Sequence, residues 1–575
     1  MGSYARPSFL LTLCALMFLL GLGTLGLTDR DEGSNAEAAR EMVESGDWVT
    51  PTLNGAPRFA KPVFLYWLIS GSYLAFGVSE FTARLPSALF GTALVLMQYA
   101  FASRILGPAV GFRAALMLLL NFEVLAVGRM VLTDMVLIFF TTLSIFSFFL
   151  AMWGENTAKR WYWGFYVGMG LATLTKGPVG VLVPLLAVVP YLWLTRRWRD
   201  VLRECRPFAG SLVFLAVAAP WYAAMFMLHG SGYTDSARGD TLTRFFSVIG
   251  GHGGTVLFYV PILLLGFFPW SGFLPATLYA AFRGWREARG KGREEIQPSP
   301  SLVPLAPSHP ARNELEFFAA VWITAVFVFF TLSSTRLPHY IAPLFPAAAL
   351  LVAASWDRLL SDSGGRWGRF SLWFTLGIGS CLGLAFIGLD WAYDRFNAQI
   401  ALEFPAAAQI GPGWAPTAVG FLILGGMGVF GYAALTAGRT GLSFGISSAV
   451  MAAVVLLILA VALPRFNRYF IAPPQELAVV AGLNLDETDT LVAYGRPHPS
   501  LLFYAKRRCS AATPCIEVIK PGEEEKLRPL LERPGRIMIL TQERLRARLP
   551  APASAYPTIL SRNGYVLLAR TPMVP

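Results

Sequence analysis

The stretch "LTDRDEGSNAEAAREMVESGDWVTPTLNGAPRFAKPVFLYW", Leu27 to Trp67, sets Asp29, Asp31 and Glu32 just past an apolar segment. It then places Lys61 against a proline at the start of a second apolar run that holds Tyr66. Further ionisable residues stand beside apolar runs: Asp134 in "GRMVLTDMVLIFF", Lys176 in "TLTKGPVG", Arg336 and Tyr340 in "SSTRLPHYIAP". Arg244 lies in the polar stretch 229–255. Such a set suits one kind of chemistry. Lysines and arginines bind a lipid phosphate and stabilise the charge that builds on it as it leaves. A carboxylate orients an incoming nucleophile or takes its proton.

The elements that must position these residues are membrane helices. The chain has 575 residues, 55% hydrophobic and 14% charged, against about 25% charged in a soluble domain. Apolar windows of about 20 residues, each able to cross about 30 Å of hydrocarbon, recur along it. Thirteen spans are predicted, at 9–27, 84–102, 110–127, 133–152, 161–175, 178–194, 208–228, 256–281, 315–332, 339–356, 370–388, 415–436 and 443–463. The apolar segment 62–77 is short and reads as interfacial. The first span has Arg6 before its apolar core but no small-x-small cleavage site, so it reads as an uncleaved anchor.

Basic runs such as "TRRWRDVLRECR" and "RGWREARGKGREE" fall between spans on one side, which the positive-inside rule makes cytoplasmic. The net charge of +12 is then a topology signal plus attraction to anionic lipid, and nucleic acid is not an expected partner. An odd span count sends the C-terminus outside. There, residues 464–575 carry short β-type runs, "TLVAYG", "CIEVIK", "RIMILT", "TILSR" and "YVLLAR", between polar helix-like stretches. The expected architecture is a polytopic α-helical membrane domain, 1–463, with outer loops 28–66 and 229–255, followed by a small α/β domain facing the periplasm. Cys509 and Cys515 lie in that outer domain, as a disulfide or as two thiols.

With this topology all the candidates gather at the outer face. Singly, each has a plain structural reading. Lys176 and Arg336 would be snorkelling anchors, Arg129 would pair with Asp134, and Asp31 and Glu32 would serve the N-terminus of a helix beginning near Asn35. Five or six converging on one membrane face favour a site. The sequence holds no Gly-rich phosphate loop, no His/Cys metal spacing and no Ser-His-Asp arrangement.

The motifs above, with "TARLPSALFG", resemble the GT-C class of membrane glycosyltransferases, in particular glycosyltransferase family 39 and its bacterial ArnT-like branch. The likeness covers the membrane domain in order. It implies an inverting transfer of a sugar from a polyprenyl-phosphate donor to a lipid A-like or other envelope acceptor, at the periplasmic face of the inner membrane. Carried over by motif, Asp31 matches the catalytic aspartate, with Glu32 and Asp134 as further acids. Lys61, Arg244, Lys176 and Arg336 are the expected donor-phosphate ligands, and Tyr340 and Tyr66 the expected substrate contacts.

The chain departs from that family where Ala60 replaces the acidic residue before Lys61. No histidine stands beside Arg244, His229 and His252 being the nearest, and Ser34 and Asn35 replace an Arg-Tyr pair. No metal site is carried over, and no cofactor is expected, although the family's divalent metal would use the position of Ala60. Two other readings share the composition. One is the same fold acting on protein hydroxyls, as O-mannosyltransferases do. The other is a flippase or transporter of lipid-linked sugar, for which ionisable residues nearer mid-membrane would be expected.

Overall fold

The computed structural model describes residues 5–28, 31–153, 156–239, 254–290, 310–361, 364–402, 404–436, 440–486, 488–495, 499–507 and 514–571. The predicted spans fall largely on helix, apolar length being the reason, but the first, 9–27, is helical only as far as Leu19. Among the described residues eight helices are long and apolar enough to cross a membrane, or up to ten if each of two bent pairs counts as one. Three shorter apolar helices, including Phe64–Phe76, accompany them.

Two predicted spans are broken. In 110–127 the helix Pro108–Leu119 meets Phe122–Gly128 at 64°. Asn121 causes the break: its side-chain oxygen accepts the Val124 N–H at 2.9 Å and caps a new helix. In 256–281, Tyr259–Gly266 and Trp270–Arg289 meet at 113°. The joint contains Pro269, which has no N–H to continue the ladder.

The helices that shape the site come early in the chain. They are α1 (Ala5–Leu19), α2 (Asp31–Ser45), α3 (Phe64–Phe76), α4 (Glu80–Leu106), α5 (Pro108–Leu119), α6 (Phe122–Gly128), α7 (Thr133–Trp153) and α8 (Trp161–Lys176). α2 lacks an apolar stripe long enough for a membrane. It opens with Asp31 and Glu32 in its first turn, where acids favour the positive end of the helix dipole. Next, α4 opens on a reciprocal cap between Ser79 and Thr82. α8 stops at Gly177, whose φ of 67° takes the left-handed turn out of the helix. The chain re-enters at Val179–Thr195, packed so closely that a Cβ on Gly180 would lie 2.3 Å from the backbone of Ala172.

The stretch Thr440–Asn484 is helical throughout, so the chain passes from the bundle into the C-terminal domain without a linker. Beyond it, the five β-type runs form one mixed sheet. Its strands are β3 (Thr490–Tyr494), β4 (Glu517–Ile519), β5 (Ile537–Gln542), β6 (Thr558–Arg562) and β7 (Tyr565–Ala569), in the order β4-β3-β5-β7-β6; β1 (Thr52–Leu53) and β2 (Ala56–Pro57) make a hairpin in the first outer loop. β3 runs parallel to β4 and β5, and β7 antiparallel to β5 and β6. The continuous apolar runs of β3, β5 and β7 reflect burial on both faces.

This domain sits directly on α2. Gly33 leaves room for it, since a Cβ there would lie 2.6 Å from the Ser500 backbone. Arg40 donates to the Arg507 carbonyl at 2.9 Å, the Tyr504 hydroxyl accepts the Leu27 N–H at 2.9 Å, and the Asn54 amide bridges Cys515 N–H (2.7 Å) and the Ile516 carbonyl (2.9 Å). Cys515 is disulfide-bonded, whereas Cys509 lies outside the described residues.

Candidate active site

Four chain segments meet at the sheet-bearing end of the bundle. Asp134 is in the first turn of α7 and Lys176 is the last residue of α8, so two packed antiparallel helices bring them face to face. The Lys176 ammonium donates to one Asp134 carboxylate oxygen at 2.6 Å and sits 4.9 Å from the centre of the Tyr340 ring. His339 Nε2 lies 3.8 Å from the other Asp134 oxygen. The turn between Leu332 and Phe345 supplies both His339 and Tyr340. Lys61 enters from the loop between β2 and α3.

These residues border two adjoining cavities. The larger, of about 380 Å³, is mostly apolar and aromatic: Phe59, Ala60, Leu137, Val179, Leu182, Tyr222, Tyr233, Phe329 and Phe330 line it with Lys61, Asp134, Lys176 and Tyr340. The smaller is polar and of about 10 Å³, the size of a single water. It is lined by Asp31, Asn35, Thr133 and His339, with the same Lys61, Asp134, Lys176 and Tyr340. Asp31 itself is exposed. An apolar chamber therefore ends at a knot of charge, and an exposed carboxylate stands on the far side of that knot.

Not every candidate reaches it. Glu32, read from sequence as a second acid of the site, points away and is 1% exposed. Arg84 grips it through two bonds, 2.8 and 2.9 Å, and it accepts the backbone N–H groups of Thr28 (2.7 Å) and Val131 (3.0 Å). Burial alone would raise its carboxyl. The Arg84 charge and these hydrogen bonds outweigh that and hold it below its ordinary value. Glu32 is a clamp that ties α2 to α4 and to the loop before α7.

Tyr66, read as a substrate contact, is fully buried and lines neither cavity. Its hydroxyl accepts from Arg58 Nε at 3.1 Å, while Asn35, alongside, donates to the Val131 carbonyl at 2.9 Å. Arg336, read as a phosphate ligand, lines neither cavity and spends its guanidinium on the carbonyls of Gly254 and Thr331. Arg129 does not meet Asp134. It caps the end of α1 through the carbonyls of Met17, Phe18 and Leu20, 2.7 to 2.9 Å away. Arg244 lies outside the described residues.

Among the described residues, the positions of the metal ligand set that the family resemblance implies are filled by other chemistry. Ala60 lines the larger cavity with a methyl group, and His229 is 2.9 Å from the Thr50 hydroxyl and packs on Phe59. Among the described residues no three His, Cys, Asp or Glu side chains group as ligands. His339 and Arg84 were missed in the sequence reading, although both stand inside motifs quoted above. A histidine flanked by Pro338 and Tyr340 at the edge of an apolar run was the available signal.

The fold is ArnT-like, and the likeness drawn from the sequence motifs is matched by the comparisons. The family model of dolichyl-phosphate-mannose-protein mannosyltransferases matches residues 9–234. Among curated relatives, the undecaprenyl phosphate-alpha-4-amino-4-deoxy-L-arabinose arabinosyl transferase of Edwardsiella ictaluri is 29% identical over 62% of this chain and 60% of its own length. That of Yersinia enterocolitica is 31% identical over 59% and 57%, and that of Aeromonas salmonicida 29% identical over 72% and 71%. The match thus spans about three-fifths of the length of the first two. Among solved structures, ArnT from Cupriavidus metallidurans bound to undecaprenyl phosphate superposes with a TM-score of 0.76 over 99% of each chain, at 22% identity. Its apo state gives 0.74 at 23%.

Proposed function

We propose that this protein is an inverting glycosyltransferase that moves a sugar from a polyprenyl-phosphate donor to a lipid or other envelope acceptor at the periplasmic face of the inner membrane. One observation carries the reading. Lys61 and Lys176 line the apolar cavity of about 380 Å³, and both also line the small polar cavity together with the exposed Asp31. The isoprenoid and sugar occupy the apolar chamber, and the phosphate lies at its charged end. The acceptor arrives on the Asp31 side, opposite the phosphate, as in-line attack at the anomeric carbon requires. The acceptor oxygen forms the new bond to that carbon, the bond to the phosphate oxygen breaks, and the polyprenyl phosphate leaves as an anion held by the two lysines. Asp31 orients the acceptor or takes its proton. Arg244, from the polar stretch 229–255 of the sequence, would add a third cation. The α/β domain braces α2 and so holds Asp31 in place.

The relatives named above support donor and chemistry alike. The charged groups gather at one end of the bundle, where surface chemistry rather than passage through mid-membrane is served, which favours transfer over transport. Purified protein in lipid, given labelled polyprenyl-phosphate sugars and envelope lipid extract, is expected to yield labelled lipid. Label appearing on protein instead would move the acceptor to protein hydroxyls. Label that crosses the bilayer without transfer would make the protein a flippase.

A further inference from the structure

Asp134 stands between two basic side chains of different kinds. Lys176 holds one carboxylate oxygen at 2.6 Å, and His339 Nε2 waits 3.8 Å from the other, just beyond hydrogen-bond distance. Lys176 also borders the apolar chamber, so in the reading above the donor phosphate competes with Asp134 for its ammonium. If the phosphate wins, a carboxylate that is only 4% exposed loses its partner. Stripping one member from a buried ion pair is among the costliest changes a protein can suffer.

Resting on that reading of the site, we propose that His339 is the stand-by partner of Asp134: as the donor phosphate draws Lys176 away, the imidazole takes a proton from water and bonds the vacated carboxylate, so that donor binding and proton uptake are coupled. Histidine is the side chain suited to this, because its charge changes between about pH 5 and 8. The charged and titratable groups around it are Asp31 from α2, Lys61 from the loop before α3, Asp134 from α7, Lys176 from α8 and Tyr340 from its own turn, with Glu123 of α6, which packs on the same turn, acting on Asp134. Burial, Lys176 and Lys61 oppose the imidazolium, and Asp134 and Asp31 favour it. Once the Lys176 charge is matched by the phosphate, the balance tips toward protonation. His339 is thus a positioning residue: it lets Lys176 leave Asp134 without baring a charge.

The test is the affinity for undecaprenyl phosphate at pH 6, 7 and 8, with proton uptake read by titration calorimetry in two buffers of different ionisation heat. Wild type, His339→Gln and His339→Lys are compared, each checked for folding by thermal unfolding. Linkage limits one coupled proton to tenfold in affinity per pH unit, so the wild-type to H339Q affinity ratio is expected to rise about three- to tenfold from pH 8 to pH 6. Taking the ratio cancels the titration of the phosphate itself. Wild type takes up more protons on binding than H339Q, and H339K binds tightly with no such pH dependence. Equal pH dependence and equal proton uptake in wild type and H339Q would overturn the proposal. Absence of binding by wild type at every pH would instead remove the donor reading, and this inference with it.

Discussion

Two buried acid–base pairs lie within one cluster of helices and do opposite things. Glu32 and Arg84 are each 1% exposed, and their remaining donors and acceptors go to the backbone: Arg84 to the carbonyls of Leu22, Leu25 and Gly26, Glu32 to Thr28 and Val131. Asp134 and Lys176 border open cavities, with a histidine and an aromatic ring as their further neighbours. A saturated pair fixes where helices sit. A pair that borders space has partners to exchange with a ligand. Burial alone does not separate the two; what fills the remaining valences does.

The largest expected effect follows from the saturated pair. Arg84→Ala leaves a buried carboxylate and three uncapped carbonyls, and should cost roughly 3–5 kcal/mol, read as a collapse of the thermal unfolding midpoint in detergent. Asp134→Ala, by contrast, leaves a lysine that borders a cavity rather than one enclosed by protein, so it should lower the midpoint less than Arg84→Ala while transfer is lost. Equal destabilisation by both would erase the distinction. Next, Lys61→Ala should slow transfer about 100- to 1000-fold, the usual cost of removing one group that stabilises a developing oxyanion, with no change in the midpoint.

A smaller effect concerns acid. The Glu32 carboxyl is lowered in the folded protein, so its stabilisation is complete above the unfolded value of about 4.5 and fades as pH falls through the folded value. Stability of wild type should therefore decline below about pH 4.5, and Glu32→Gln should flatten that part of the profile. The smallest effect lies in the brace. Asn54→Ala removes the bridge to Cys515 and Ile516 and should cost about 1–2 kcal/mol, with a modest loss of rate.

The spans were legible because apolar length is a strong signal, and the sheet because its strands are short apolar runs with turn residues between them. The two breaks were not, since Asn121 and Pro269 sit inside runs whose average hydropathy continues through them. Lys61, Asp134, Lys176, Tyr340 and Asp31, singled out by residue type and position at span edges, line the cavities. Glu32 and Arg336 share that type and position, yet their partners lie far away in sequence, at Arg84 and Gly254, and spacing does not show them. Tyr66 is a different case: Arg58 and Asn35 take up its hydroxyl, and no residue of α3 lines either cavity. His339 went unnoticed because a lone histidine beside a proline carries little weight until Asp134 is seen next to it.

The adjacent acids Asp31 and Glu32 allow the most direct test. Asp31→Asn and Glu32→Gln would be compared for single-turnover transfer from a polyprenyl-phosphate sugar in proteoliposomes, per folded molecule, alongside the unfolding midpoint of each. The account predicts that D31N keeps the wild-type midpoint and loses transfer, while E32Q loses several degrees of stability and its folded fraction still transfers. A D31N enzyme that transfers at the wild-type rate would contradict it.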